Sequence, residues 1–169
     1  MRINEIINEI LIEEFGELGA RGGSLGGTLG GGIGGGVAGA IGGAAGGAQG
    51  GAAGAKFAAK RLPTVDFQDS VVYEGSLEEA KKAVSNAIVG AAGYRRMVNI
   101  DSDSTNPSFF AVIGSGWGYM NPAVMCITME LADENSTNIH IRGSAKEGLI
   151  KQKTAKKAVS QIVEGLAAL

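Results

Sequence analysis

The sequence has 169 residues, enough for one ordinary domain with an extension. Its net charge of −2 excludes the broad basic field that attracts nucleic acid, and its single cysteine excludes an internal disulfide. Glycine dominates the composition, with 29 residues, 18 of which lie between Gly22 and Gly54. These properties divide the chain into an acidic helix at 1–21, a glycine-rich helical segment at 22–62 and a globular domain at 63–169.

The first segment has the pattern of an amphipathic helix. Apolar residues recur at three- and four-residue spacing, namely Ile3, Ile6, Ile7, Ile10, Leu11, Phe15 and Leu18. Glutamates recur four apart on another face, namely Glu5, Glu9, Glu13 and Glu17. These glutamates form either a solvated face or, in an oligomer, an acidic ring at a pore mouth. The basic start and uninterrupted apolar core of a cleavable signal peptide are missing from this N-terminus.

The second segment repeats with a period of four in three registers. The first glycine register holds Gly22, Gly26, Gly30, Gly34, Gly42, Gly46, Gly50 and Gly54. The second holds Gly23, Gly27, Gly31, Gly35, Gly39, Gly43, Gly47 and Gly51. A bulky register holds Leu25, Leu29, Ile33, Val37 and Ile41. On a helix these registers form two adjacent glycine stripes and one apolar stripe, a pattern that favours close packing of helices.

A single helix of this composition is unstable in water. Eighteen glycines cost ~15–18 kcal/mol of helix stability relative to alanine. We therefore expect lipid, close packing against other helices, or both to stabilise this helix. We expect one long helix with a possible membrane span at 25–45, and a hairpin kinked within Gly30–Gly36 is the alternative. Lys56, Lys60 and Arg61 would mark the cytoplasmic side, which predicts a membrane protein with a cytoplasmic C-terminal domain.

The repeated spacing in Gly22-Gly23-Ser24-Leu25-Gly26-Gly27 resembles the glycine-zipper segments of bacterial membrane proteins. The resemblance implies helix packing into pores or oligomeric envelope structures. It predicts packing at one set of glycines: Gly22, Gly26, Gly27, Gly30, Gly31, Gly35, Gly39, Gly43, Gly47 and Gly51.

The third segment reads as an α+β domain. Strands are predicted at Thr64–Glu74, Tyr94–Ile100, Phe109–Ile113, Ala123–Leu131 and Thr137–Arg142. Ser76-Leu77-Glu78-Glu79 is a capping box that opens a helix to about Ala92. Ser144-Ala145-Lys146-Glu147 has the same pattern and predicts a final helix to about Leu166. This order predicts an antiparallel sheet with two helices on one face.

We find no catalytic, cofactor-binding or metal-binding constellation in the sequence. Gly30–Gly35 satisfies G-x-G-x-x-G, but it follows an acidic helix rather than a strand. His140 has no neighbouring ligand pattern, and Cys126 lies in an apolar run that predicts a buried, inert thiol. Trp117 and Tyr119 lie among glycines. They indicate either a hairpin loop folded back onto the sheet or a contact with lipid or a partner subunit.

These features predict a non-enzymatic, membrane-associated homo-oligomer. A pore or channel is one form of such an assembly. The expected partners are further copies of the chain and the lipid bilayer. The bulky register, Trp117 and Tyr119 are the residues expected to make contact with the membrane or a partner. A soluble ring, tube or filament that uses the same zipper is the first alternative. A small ligand-binding domain on a glycine-rich arm is the second.

Overall fold

A computed structural model describes residues 3–98, 108–133, 135–148 and 151–168. The chain forms two compact units, Met1–Pro63 and Thr64–Leu169. A long N-terminal helix is followed by a five-stranded antiparallel sheet and two further helices, which confirms the predicted α+β fold.

The first unit contains the helix α1, Ile3–Arg61, which reverses direction at Gly36. Gly36 has φ 60° and ψ −147°, a conformation that side-chain-bearing residues rarely adopt. Beyond the turn, Gly39 lies against Gly31 and Gly43 lies against Gly27. The prediction of one long uninterrupted helix is therefore wrong, and the turn lies within Gly30–Gly36, as in the alternative hairpin. The segment 25–45 belongs to two antiparallel arms, residues 3–35 and 37–61, because glycine allows both the turn and the close approach.

The apolar character of these arms is limited. Among the described residues, no helix combines the length and hydropathy needed to cross a membrane.

The second unit is built on the strands β1 (Thr64–Glu74), β2 (Tyr94–Val98), β3 (Ser108–Ser115), β4 (Asn121–Asp133) and β5 (Ser136–Lys146). They are antiparallel and lie in the order β1-β5-β4-β3-β2. β1 matches its prediction, and the other described strands overlap theirs. The predicted residues 99 and 100 of β2 lie outside the described residues.

The helices α2 (Leu77–Gly90) and α3 (Thr154–Ala167) pack on one face of the sheet. Inward side chains of β3, β4 and β5, such as Ile113, Met125 and Ile141, form the core with Val84 and Ile162 of the helices. The predicted capping box at α2 is confirmed. The Ser76 hydroxyl accepts a hydrogen bond from the Glu79 amide, and the Glu79 carboxylate accepts one from the Ser76 amide.

The second predicted capping box is wrong, because β5 continues through Lys146 and α3 begins only at Thr154. Ser144 pairs with β1 and β4 in the sheet, and its hydroxyl donates to Asp66 Oδ1 at 2.6 Å. The Glu147 carboxylate instead accepts from the Thr154 amide at 2.6 Å, which supplies α3 with a partner for its first N–H. Pairing with strands on both sides outweighs the local helix signal. Ile150, which the predicted helix would include, lies outside the described residues.

Candidate functional site

One row of glycines closes the hairpin. It comprises Gly19, Gly23, Gly27 and Gly31 in the first arm and Gly39, Gly43, Gly47 and Gly51 in the second. A Cβ on any of them would lie closer than 3.0 Å to a backbone carbonyl oxygen of the opposite arm, an approach that real Cβ atoms do not make. These closing glycines therefore let the two backbones touch directly, and alanine at any of them would force the arms apart.

A second row of glycines has no such role within the chain. Gly22, Gly26, Gly30, Gly34, Gly42, Gly46, Gly50 and Gly54 are exposed, and a Cβ on any of them would meet nothing within 4 Å. We name these eight residues the open glycine face. They include Gly22, Gly26 and Gly30 of the predicted packing residues.

The two halves of the open glycine face lie on the same side of the hairpin. Six of the eight residues directly precede a closing glycine, and Gly34 and Gly54 precede the positions that continue the closing register by four residues. One residue corresponds to a rotation of about 100° around the helix. Because the arms are antiparallel, this rotation carries both halves to one side. The residues that follow the closing glycines turn to the other side, where a Cβ on Gly32 would lie 3.7 Å from the Ala40 Cβ.

The bulky register lies on the outer edges of the arms, away from the closing glycines. Leu25, Leu29 and Ile33 of the first arm are 68%, 71% and 90% exposed. Val37 and Ile41 of the second arm are 80% and 68% exposed. We name these five side chains the apolar ridge. Three of these side chains line the outer edge of the first arm and two line that of the second, and rows of exposed apolar side chains are typical of protein or membrane contact surfaces.

The sequence prediction grouped together glycines that the structure separates. Gly27, Gly31, Gly39, Gly43, Gly47 and Gly51 close the hairpin, whereas Gly35 is next to the turn and has open space around its Cα. Three contacts were missed. Gly23 belongs to the second glycine register but not to the predicted packing set, Gly19 continues the closing register by one step of four, and Gly16 lies under the aliphatic chain of Lys56. The spacing of four could have revealed Gly19, whereas the Lys56 contact depends on the reversal of the chain.

The aromatic loop of the second unit forms one wall of a cleft. A short 3₁₀ turn at Trp117–Tyr119 follows β3, and the Tyr119 side chain is 48% exposed. The loop is fixed by a hydrogen bond from Arg95 Nη2 to the Tyr119 carbonyl at 2.7 Å. The Trp117 side chain lies outside the described residues. Across the cleft lie Lys153 and Lys157 of the α3 region.

The other titratable candidates have structural surroundings. His140 Nε2 lies 3.1 Å from Glu130 Oε1, and both side chains are more than half exposed. Burial raises the pKa of the Cys126 thiol, opposed by the nearby Arg142 charge, so the thiolate is scarce at neutral pH. Within the described ranges, no group of three or more acidic, histidine or cysteine side chains is arranged to hold a metal ion.

No family model matches this chain, and no curated protein matches it. Among solved structures, it is similar to the crystal structure of a conserved protein from Geobacillus kaustophilus, with 13% sequence identity. That similarity covers 62% of this chain and 93% of the other chain, with a TM-score of 0.39.

Proposed function

We propose that this protein is a self-assembling homo-oligomer, whose copies associate through the open glycine face of the hairpin. One observation carries the proposal: eight helical glycines occupy positions where a Cβ would meet nothing within the chain. Relative to alanine, those glycines cost the helices ~6–8 kcal/mol. A second backbone lying directly on this face supplies the missing reason for glycine, because any side chain there would hold it away.

A second copy is the occupant that fits this surface. The closing glycines already demonstrate how this repeat packs, with glycine against glycine in antiparallel arms. The open glycine face has the same spacing of four, so two hairpins can repeat that contact face to face. Backbones at this separation gain dispersion contacts and Cα–H···O interactions along the whole length of each arm.

Contact with lipid is the role that we propose for the apolar ridge. The hairpin tip is uncharged between Arg21 and Lys56. From Arg21 to the turn, the first arm extends about 14 residues, or ~21 Å, less than the ~30 Å bilayer core. The tip would therefore enter one leaflet, with both ends of the hairpin on the same side. A channel would require several hairpins to surround an axis, with Glu5, Glu9, Glu13 and Glu17 near its mouth.

A soluble ring or filament uses the same glycine contacts and differs only in what covers the ridge. The mass of the full-length protein in buffer and in detergent separates the two forms. A defined oligomer that requires detergent supports the lipid-associated form, and a large assembly in buffer supports the soluble form. A monomer in both media contradicts self-assembly.

The decisive variant changes the open glycine face and leaves the closing glycines intact. Gly26→Leu with Gly46→Leu should reduce the oligomer to a monomer, because each leucine would separate facing backbones. Thr28→Leu is the matched control, because Thr28 is exposed and lies away from the open glycine face. The helical circular dichroism should be retained in both. An unchanged mass in the double variant would remove the open glycine face from the interface.

A further inference from the structure

A cleft of about 480 Å³ lies in the second unit, between the loop after β3 and one face of α3. Its walls include Ser115, Tyr119, Lys153, Lys157, Ser160 and Gln161. A cleft of this size is within the range of small-molecule sites, which run from about 300 to 1,000 Å³. The cleft is made by this unit alone and is independent of the hairpin and its glycines.

Backbone strain is concentrated at the walls of this cleft. Within the described part of the chain, positive φ at a non-glycine residue occurs at Tyr119 (54°) and Lys153 (56°), and both line the cleft. Such conformations cost energy and persist where neighbouring contacts impose them, which is common at ligand-binding sites.

Neighbouring hydrogen bonds impose both conformations. Arg95 Nη2 donates to the Tyr119 carbonyl at 2.7 Å, and the Tyr119 amide donates to the Gly116 carbonyl at 3.2 Å. On the opposite wall, the Thr154 amide that follows Lys153 donates to the buried Glu147 carboxylate at 2.6 Å. The Asn121 and Gln152 side chains are also hydrogen-bonded to each other. The walls are therefore held in place by hydrogen bonds within the chain itself.

The charge of the cleft favours an anion. Lys153 and Lys157 contribute two ammonium groups, against the carboxylate of Glu164. Lys156 also lines the cleft, but its ammonium lies 5.5 Å from the centre of the Phe67 ring of β1, a cation–π contact that directs it away from the loop after β3. The Gln161 side chain lines this cleft and a neighbouring pocket beside α2, and its buried oxygen accepts no hydrogen bond from the described residues.

We propose that this cleft binds a phosphate group carried by a small molecule. A phosphate dianion accepts hydrogen bonds from several lysines and serine hydroxyls at once, whereas a carboxylate has fewer acceptor positions. The hydroxyls of Ser115 and Ser160 provide neutral donors on opposite walls of the same cleft. This assignment would give the second unit a ligand, a role that the packing of the hairpin does not provide.

The test is a titration of the full-length protein with inorganic phosphate at constant ionic strength, followed by amide chemical shifts. Saturable shifts are expected at Gly116, Lys157 and Ser160, with smaller shifts under acetate. Lys157→Gln should weaken binding about tenfold, the effect of losing one charge-assisted hydrogen bond. Lys82→Gln is the matched control, because Lys82 is an exposed lysine of α2 that does not line the cleft.

Lys153→Gly distinguishes a binding role from a structural one. Glycine relieves the positive φ, so the melting temperature should rise while phosphate affinity falls. A second titration uses vesicles that contain phosphatidate. Amide chemical-shift changes at the cleft with these vesicles, and none with free phosphate, would assign the phosphate to a lipid headgroup. Equal weakening by Lys82→Gln and Lys157→Gln, or no saturable shift with either phosphate source, would overturn the proposal.

Discussion

At the scale of single residues, adjacent glycines of one helix should respond to alanine with opposite signs. Gly26→Ala adds a Cβ in open space and should stabilise the dispersed hairpin by ~1 kcal/mol. Gly27→Ala places a Cβ against the Gly43 carbonyl and should destabilise it. Thermal unfolding followed by circular dichroism, at concentrations where the protein is monomeric, measures both changes.

Gly26→Ala should also change the self-association of the protein. Gly26→Ala should weaken self-association even as it stabilises the single hairpin, because the methyl group separates facing backbones. A change of the same sign at both positions would mean that the two glycine registers have one role. That result would contradict the separation between closing glycines and open glycine face.

The cap of α2 gives a pH-dependent prediction. Ser76→Ala should lower the unfolding free energy by about 1 kcal/mol at neutral pH. Hydrogen bonds from the Ser76 hydroxyl and amide lower the pKa of Glu79 below its ordinary 4.5. A lowered folded-state pKa means that this contribution is present above pH 4.5 and is lost as the pH falls through the folded-state value. The loss of unfolding free energy caused by Ser76→Ala should therefore be smaller in acid.

Urea unfolding of wild-type protein and Ser76→Ala between pH 7 and pH 3 measures this deficit. Ser85→Ala is a suitable control, because Ser85 lies inside α2 and alanine favours a helix interior. A deficit that stays constant across this range would show that the Glu79 charge takes no part in the cap.

At the scale of whole elements, the start of α3 depends on one buried carboxylate. Glu147 is 6% exposed, and Glu147→Ala would leave the buried Thr154 amide without this acceptor, at a cost of about 1–3 kcal/mol. Glu147→Gln keeps a side-chain oxygen and should preserve most of the stability. Hydrogen exchange at the Thr154 amide distinguishes the two, with protection lost in alanine and retained in glutamine. Equal protection in both variants would assign the start of α3 to other contacts.

The two capping boxes show which elements local sequence can predict. Ser76 follows a turn, so its pattern faces no competing partner and the helix forms as predicted. Ser144 lies in a strand that pairs with β1 and β4, and those hydrogen bonds override the same pattern. Local signals therefore predicted β1 and α2 well and misplaced the start of α3, because long-range pairing is absent from a local motif.

The same limit applies to the candidate site. The spacing of four identified both glycine registers and the apolar ridge, because periodicity alone determines which residues share a helix face. The hairpin kinked within Gly30–Gly36 was only the alternative prediction, and the sequence does not single out Gly36 as the turn residue, because every glycine in this run allows positive φ. The cleft depends on loop geometry and on strained residues such as Lys153, for which the sequence carries no comparable signal.

At the scale of the whole molecule, the open glycine face and the apolar ridge should have separable functions. Ile33→Ser with Val37→Ser removes two of the most exposed apolar side chains at the hairpin tip. Burial of such side chains is worth about 1.5–3 kcal/mol each, so binding to phosphatidylcholine vesicles should weaken by at least about a hundredfold. The oligomeric mass should stay unchanged, because neither residue belongs to the open glycine face.

Vesicle co-sedimentation and mass, measured on the same samples, separate the two functions. Val72→Ser with Leu131→Ser is the matched control, because it removes two exposed apolar side chains, 63% and 59% exposed, from the second unit. Unchanged vesicle binding in the tip variant would exclude the ridge as the lipid contact. A fall in mass would instead place the ridge in the interface between copies, and the soluble assembly would then account for the exposed ridge without any bilayer.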